Sequence, residues 1–208
     1  MYKNTLSQKY KIKSEKITCF ELWRDYPEKV EPSYSNQFLY FGRIRKYKGF
    51  ELFAKIIEKT PHIKYRIVGE ADEESKYLVD YVRNFENVSL VEYEVSDSQM
   101  IEEFKCADWV VLPYSNATQS GVITDAYRYA RPVISFNVGA IKEQIEDGKT
   151  GFLIKAGDID GFANKVNEVN KFSRDKLREF SENAYSFGYK KYAAKFFADK
   201  FFALMQRI

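Results

Sequence analysis

The chain has 208 residues, 45% apolar and 17% aromatic, with a net charge of +3. That composition supports one α/β domain with flanking elements and argues against a disordered chain. The charge is too small to argue for nucleic acid, and no run nears the roughly 20 apolar residues of a membrane span. Two cysteines, Cys19 and Cys106, lie far apart without metal spacing, which suits structural roles in a reducing compartment, the cytoplasm. His62 is the only histidine, so a His-based triad or a His-rich metal site is nearly excluded. The polar start Met1-Tyr2-Lys3-Asn4 gives no sign of a signal peptide.

Taken in order, residues 4–12 read as a short polar helix and Ile17–Phe20 as a short strand. Trp23–Asn36 lacks a clear period and reads as a connector. Phe38-Leu39-Tyr40-Phe41 is a buried-strand run, and Phe50, Leu52, Phe53, Ile56 and Ile57 mark one helix face after it. Ile63–Val68 is the next strand, 72–84 a helix, Val88–Val91 extended, and 97–105 a helix with Ser96 as its cap. Trp109-Val110-Val111-Leu112 is a buried strand closed by Pro113, followed by a polar loop, a helix from Ser120-Gly121 to about Tyr129, and a strand at Pro132–Phe136. Then come a short helix at Ile141–Ile145, a strand at Gly151–Ile154, a helix at Ile159–Val169, and one or two helices over 173–207. Strands alternating with helices predict a doubly wound parallel sheet of about six strands with helices on both faces. The expected division is a connector over 1–36, a Rossmann-like domain over 37–172 and a helical extension over 173–208.

Two loops suit an anion. Gly42-Arg43-Ile44-Arg45-Lys46-Tyr47-Lys48-Gly49 follows the first strand of the body with four basic residues but no G-x-G-x-x-G. Arg43 can grip phosphate oxygens bidentately and Lys48 can add a point charge; a solvated basic loop is an equal reading. Residues 116–122, containing Thr118-Gln119-Ser120-Gly121, open a helix whose free amides and dipole favour an anion, although an ordinary Ser-capped helix start is commoner. Both loops follow strands of one parallel sheet, so they open on the same edge. Asp125, one turn into the helix, can reach ribose hydroxyls; Glu143 and Glu70 read as surface charge near element ends. The tail 185–205 is aromatic and Lys-rich. It reads either as a membrane-surface or partner helix, or as one wide buried face made by residues 189, 192, 193, 196, 197, 201 and 204.

From Gln37 to about Asp158 the chain resembles the nucleotide-sugar-binding half of GT-B retaining glycosyltransferases of group 1, family 4. The matching pieces are Phe41-Gly42-Arg43-Ile44…Tyr47-Lys48-Gly49, Ile67-Val68-Gly69-Glu70, Leu112-Pro113, Gln119-Ser120-Gly121, Pro132-Val133-Ile134, Asn137-Val138-Gly139, Glu143, and Glu146 through Phe152. The resemblance implies that Arg43 and Lys48 neutralise the diphosphate of a UDP-, GDP- or dTDP-sugar. It implies that Gly42 and the amides of Ser120, Gly121 and Val122 line the same seat, and that Tyr93, Glu94 and Val95 lie along the base. Of the family's glutamate pair, the ribose-binding member falls on Asp125, seven residues before Pro132, and the first falls on Ala117. Contacts to the sugar are then left to Asn116, Thr118 or Gln119. This pattern is similar to a Gln-Ser-Gly subgroup frequent in polysaccharide clusters. The resemblance further implies metal-independent chemistry, and an N-terminal acceptor half missing from this chain or supplied by a partner. Two other classes remain: a non-catalytic α/β scaffold that binds a protein, and an NAD-dependent oxidoreductase, for which the glycine fingerprint is lacking.

Overall fold

The computed structural model describes residues 7–18 and 20–206. The apolar runs become six strands: β1 (Gln37–Phe41), β2 (Lys64–Val68), β3 (Val88–Val91), β4 (Trp109–Leu112), β5 (Val133–Phe136) and β6 (Gly151–Ile154). They form one all-parallel sheet in the order β3-β2-β1-β4-β5-β6. The helices are α1 (Phe50–Lys59), α2 (Lys76–Arg83), α3 (Asp97–Cys106), α4 (Gly121–Arg128), α5 (Ile159–Val169), α6 (Arg174–Tyr192) and α7 (Ala194–Met205). Right-handed crossovers put α1 and α2 on one face of this order and α3 and α4 on the other; after β6, α5 packs beside α1 and α6 beside α4.

Alternation along β1 sorts its aromatic side chains between the faces. Tyr40 meets Phe50 and Phe53 of α1, each with ring centroids 5.3 Å apart, whereas Phe41 meets Phe104 of α3 at 5.1 Å. The expected cap of α3 is a full capping box: Ser96 Oγ accepts from the Gln99 amide, and the Ser96 amide donates to Gln99 Oε1. Two expected helices are tighter than predicted. The first turn of 72–84 is a 3₁₀ turn, Glu73–Ser75, and the Ile141–Ile145 helix is a 3₁₀ turn at Ile141–Glu143.

The tail packs outside the sheet. Phe180 of α6 lies 5.4 Å from the Trp109 ring and 5.2 Å from Phe152. Gly188 lets α6 approach α4 closely, since a Cβ there would stand 2.6 Å from Tyr127 Cβ. The wide apolar face beyond it, expected to pack against the body of a larger protein, is not buried within this chain. Tyr192 and Ala193 are buried, but the helix breaks at Ala193 (φ −64°, ψ 137°), and no residue of α7 is buried. Phe197 rests on Phe20 and Trp23 instead, while Phe201, Phe202 and Met205 stay exposed. No helix among the described residues is long and apolar enough to cross a membrane.

The first 36 residues also differ from expectation. Residues 7–10 are helical and the turn ends at Lys11 (φ 53°), while Ile17, Thr18 and Phe20 form no strand; residues 4–6 and Cys19 lie outside the described residues. The connector is pinned at two places. Arg24 makes a parallel bridge to Ala193. The carboxylate of buried Asp108 accepts from Ser33 Oγ and from the Tyr34 and Asn36 amides at 2.7–2.9 Å. Cys106 is exposed and free.

Candidate functional site

Strand order reverses direction between β1 and β4, and at such a switch point the loops leaving the carboxyl ends diverge and leave a crevice. The two anion-suited loops of the sequence are the loops of that crevice. Gly42 turns the first one (φ 110°), and a Cβ on it would lie 3.6 Å from Val122 Cγ2, so the loop passes over the start of α4. Gly49 (φ 71°) closes it in backbone contact with the second loop: a Cβ there would stand 1.7 Å from the Pro113 carbonyl oxygen. Tyr47 O accepts from the Asn116 amide at 3.3 Å and from Ser115 Oγ at 2.9 Å. The 116–119 turn is backed in the same way by Gly139 (φ 52°), where a Cβ would meet Ala117 O at 1.8 Å.

Within this frame Arg43 is exposed and Lys48 half-buried. Lys48 Nζ donates to Tyr114 Oη at 3.2 Å and stands 4.3 Å from the centre of that ring. Burial, and then the charge of Arg43, push the Lys48 ammonium below the usual lysine value. Burial raises Tyr114 to about 12, so it is a neutral phenol at physiological pH. Its Oη is 3.1 Å from Ser120 Oγ. The sequence pattern did not single out Tyr114, which is buried inside a run of otherwise polar loop residues.

Ser120 corrects one expectation. Its amide is not free for a ligand, because it donates to Gln144 Oε1 at 2.8 Å, while Gln144 Nε2 donates back to Ser120 O at 3.1 Å. Nor does its hydroxyl cap α4. The seat therefore narrows to the amides of Gly121 and Val122, in the first turn, where no intrahelical acceptor exists. Gln144, buried and 24 residues away, carried no sequence signal for this role.

A cleft of about 290 Å³ continues from the seat, lined by Gly42, Arg43, Glu70, Tyr93, Glu94 and Val95. Asn116, Thr118 and Gln119 are exposed on the opposite rim. Glu143 points to solvent, and its carbonyl accepts from Lys191 Nζ. Asp125 lines a neighbouring hollow with Arg24 and Arg128 and is not free: Arg24 Nε donates to Oδ1 at 2.6 Å and Nη2 to Oδ2 at 3.3 Å. That bond to Asp125 raises the Arg24 pKa against the opposing effect of burial. A contact 101 residues distant in sequence has no local signature, so Arg24 could not be read from the chain. Among the described residues no cluster of three metal-ligating side chains occurs.

The all-parallel α/β fold matches that of GT-B glycosyltransferase structures. Anabaena HepE, solved in complex with UDP, matches with a TM-score of 0.81 at 18% identity over 98% of this chain and 61% of that one. A glycosyltransferase from Rickettsia africae matches with a TM-score of 0.81 at 16% identity over 99% and 61%. At such identities the likeness speaks to the fold. Residues 35–171 match the family described as glycosyl transferases group 1, and the chain belongs to that family. Among curated relatives, it is 29% identical to an uncharacterized 41.2 kDa protein in the cps region of Klebsiella pneumoniae, over 71% of this chain and 41% of that protein. It is also 29% identical to the capsular polysaccharide biosynthesis glycosyltransferase CapM of Staphylococcus aureus, over 67% and 37%. The chain thus spans less than half the length of these relatives.

Proposed function

We propose that this chain is the donor-binding half of a metal-independent, retaining glycosyltransferase that builds a surface polysaccharide or glycolipid at the cytoplasmic face of a membrane. One observation carries the reading: the loop bearing Arg43 and Lys48 and the loop that opens α4 are in direct backbone contact at the switch point of one sheet. Two cations and a helix N-terminus suit the diphosphate of a nucleotide sugar. The base lies along Tyr93–Val95, and the sugar faces Asn116–Gln119. Arg43 and Lys48 stabilise the charge that grows on the departing nucleoside diphosphate. Ala117 offers no carboxylate to act as nucleophile. The acceptor oxygen therefore bonds to the anomeric carbon on the face from which the phosphate oxygen leaves, and the acceptor proton passes to that phosphate. Support for the chemistry comes from relatives named for capsule synthesis and from a structural neighbour solved with UDP.

The acceptor site belongs to a second half, supplied by further chain or by a partner. The exposed Trp23, Phe201, Phe202 and Met205 offer a face for that half or for a membrane surface. Calorimetry with UDP, GDP and dTDP in EDTA tests the donor reading. At least one is expected to bind, and Arg43→Ala is expected to weaken it by about 1.5–3 kcal/mol, the usual worth of hydrogen bonds to a charged group. Unchanged affinity in that variant would sink the phosphate assignment. The rival reading, a non-catalytic α/β subunit, draws on Ala117 and on the engagement of Asp125 by Arg24. It predicts no thermal shift with any nucleoside diphosphate.

A further inference from the structure

We infer that Arg24, bonded to Asp125 in this structure, is a donor-responsive positioning residue that transfers to the donor diphosphate on binding and releases Asp125 to the ribose. This rests on the nucleotide-sugar reading above.

The backbone of Arg24 cannot move freely. Its amide donates to Tyr192 O at 2.8 Å, and its carbonyl accepts from the Ala194 amide at 2.9 Å. Only the side chain can change partner, and it is 30% exposed. Its Nη2 lies 3.4 Å from where a Cβ of Gly121 would stand, beside the first-turn amides of α4. The seat and Asp125 are therefore both within reach of one guanidinium on a fixed backbone. The exchange is chemically matched, since carboxylate and phosphate both accept bidentate bonds from the same fork. Asp125 is not left without a cation. Arg128 lines the same hollow as Arg24 and Asp125, and its Nε is buried with no partner among the described residues. Asp97 and Met100 line both this hollow and the cleft at Tyr93–Val95, so ribose at Asp125 and base in that cleft are compatible.

The test is calorimetry on the whole chain with UDP, GDP, dTDP and inorganic pyrophosphate, which lacks ribose. Arg24→Ala is expected to weaken the bound nucleoside diphosphate and pyrophosphate each about tenfold, and Arg24→Lys about threefold, as a point charge replaces a fork. Asp125→Asn, which sets Arg24 free, is expected to tighten pyrophosphate several-fold, and adding Arg24→Ala to it is expected to erase the gain. Deleting the Asp125 charge alone would tighten an anion by a gain that survives Arg24→Ala; a gain that vanishes with Arg24 marks the transfer. The inference is overturned if Arg24→Ala binds nucleoside diphosphate as tightly as the parent or more so, or if Asp125→Asn leaves pyrophosphate unchanged or weaker. If Arg24→Ala does not fold, the Asp125→Asn measurement decides alone. Failure of the parent chain to bind any of the three nucleotides removes the donor reading, and this inference with it.

Discussion

Lys48 reaches the crevice across the face of Tyr114, and the ring does two jobs for it. The phenol oxygen fixes one ammonium proton, and the π-face attracts the charge. Burial works the other way and disfavours the charged form, with Arg43 adding repulsion. The sign for binding follows. A diphosphate needs the ammonium, and in the empty chain that ammonium is lost below the ordinary lysine value of 10.5. Affinity for the bound nucleoside diphosphate is therefore expected to fall as pH rises, starting at a lower pH than an ordinary lysine would give. In Lys48→Arg the decline is expected to move to higher pH, because a guanidinium stays charged. Titration calorimetry between pH 7 and pH 10 checks this, and identical profiles for the two chains would remove Lys48 from the phosphate site. Arg43, Lys48 and the two glycines around them were legible in the sequence, because a basic loop directly after a buried strand has one place to go. Tyr114 and Arg24 were not, because each acts through a side chain that only the tertiary fold brings to its partner.

At the scale of elements, α4 is the case where the local rule failed. Ser120 has the residue type of an N-cap, yet it makes no cap bond. Its amide and carbonyl are instead held by Gln144, in the manner of a neighbouring strand. The helix start is thus fixed by residue 144 rather than by its own cap, and two amides are left open. Gln144→Ala would strand a buried N–H and a buried carbonyl. It is expected to lower stability by about 1–3 kcal/mol, read from the urea midpoint, and to weaken nucleotide binding along with it. Gln144→Glu, which keeps an acceptor but loses the donor, is expected to fall between. The capping box of α3, by contrast, was readable, because its whole machinery lies within Ser96–Gln99. The central strands were readable for a similar reason: both faces of the sheet are covered there, so β1 and β4 show as apolar runs at Phe38–Phe41 and Trp109–Leu112, whereas β2 and β3 carry Lys64, Arg66 and Ser89.

Across the whole molecule, burial stops near Ala193. The aromatic spacing of the tail implied one wide face, but spacing alone cannot say whether a surface exists to cover it. Here α7 meets the rest of the chain through four ring pairs, Tyr189–Phe196 with α6 and Phe20–Phe197, Phe20–Phe201 and Trp23–Phe197 with the connector, at about 0.5–1.5 kcal/mol each beyond the area they bury. A chain ending at Lys195 is therefore expected to unfold cooperatively, with a loss of about 2–6 kcal/mol from these pairs, and to keep its nucleotide affinity. Calorimetric melting and titration check both, and loss of the cooperative transition would make α7 part of the core.

The backbone bridge between Arg24 and Ala193 has a mechanical consequence. The connector arriving from residue 23 and the helix departing after residue 193 are clamped together at one point, and the side chain at that point ends on Asp125. A torque applied to either segment loads the same short lever. Whatever is attached there, a rotation of a few degrees would be felt at the floor of the crevice before it disturbed any strand of the sheet.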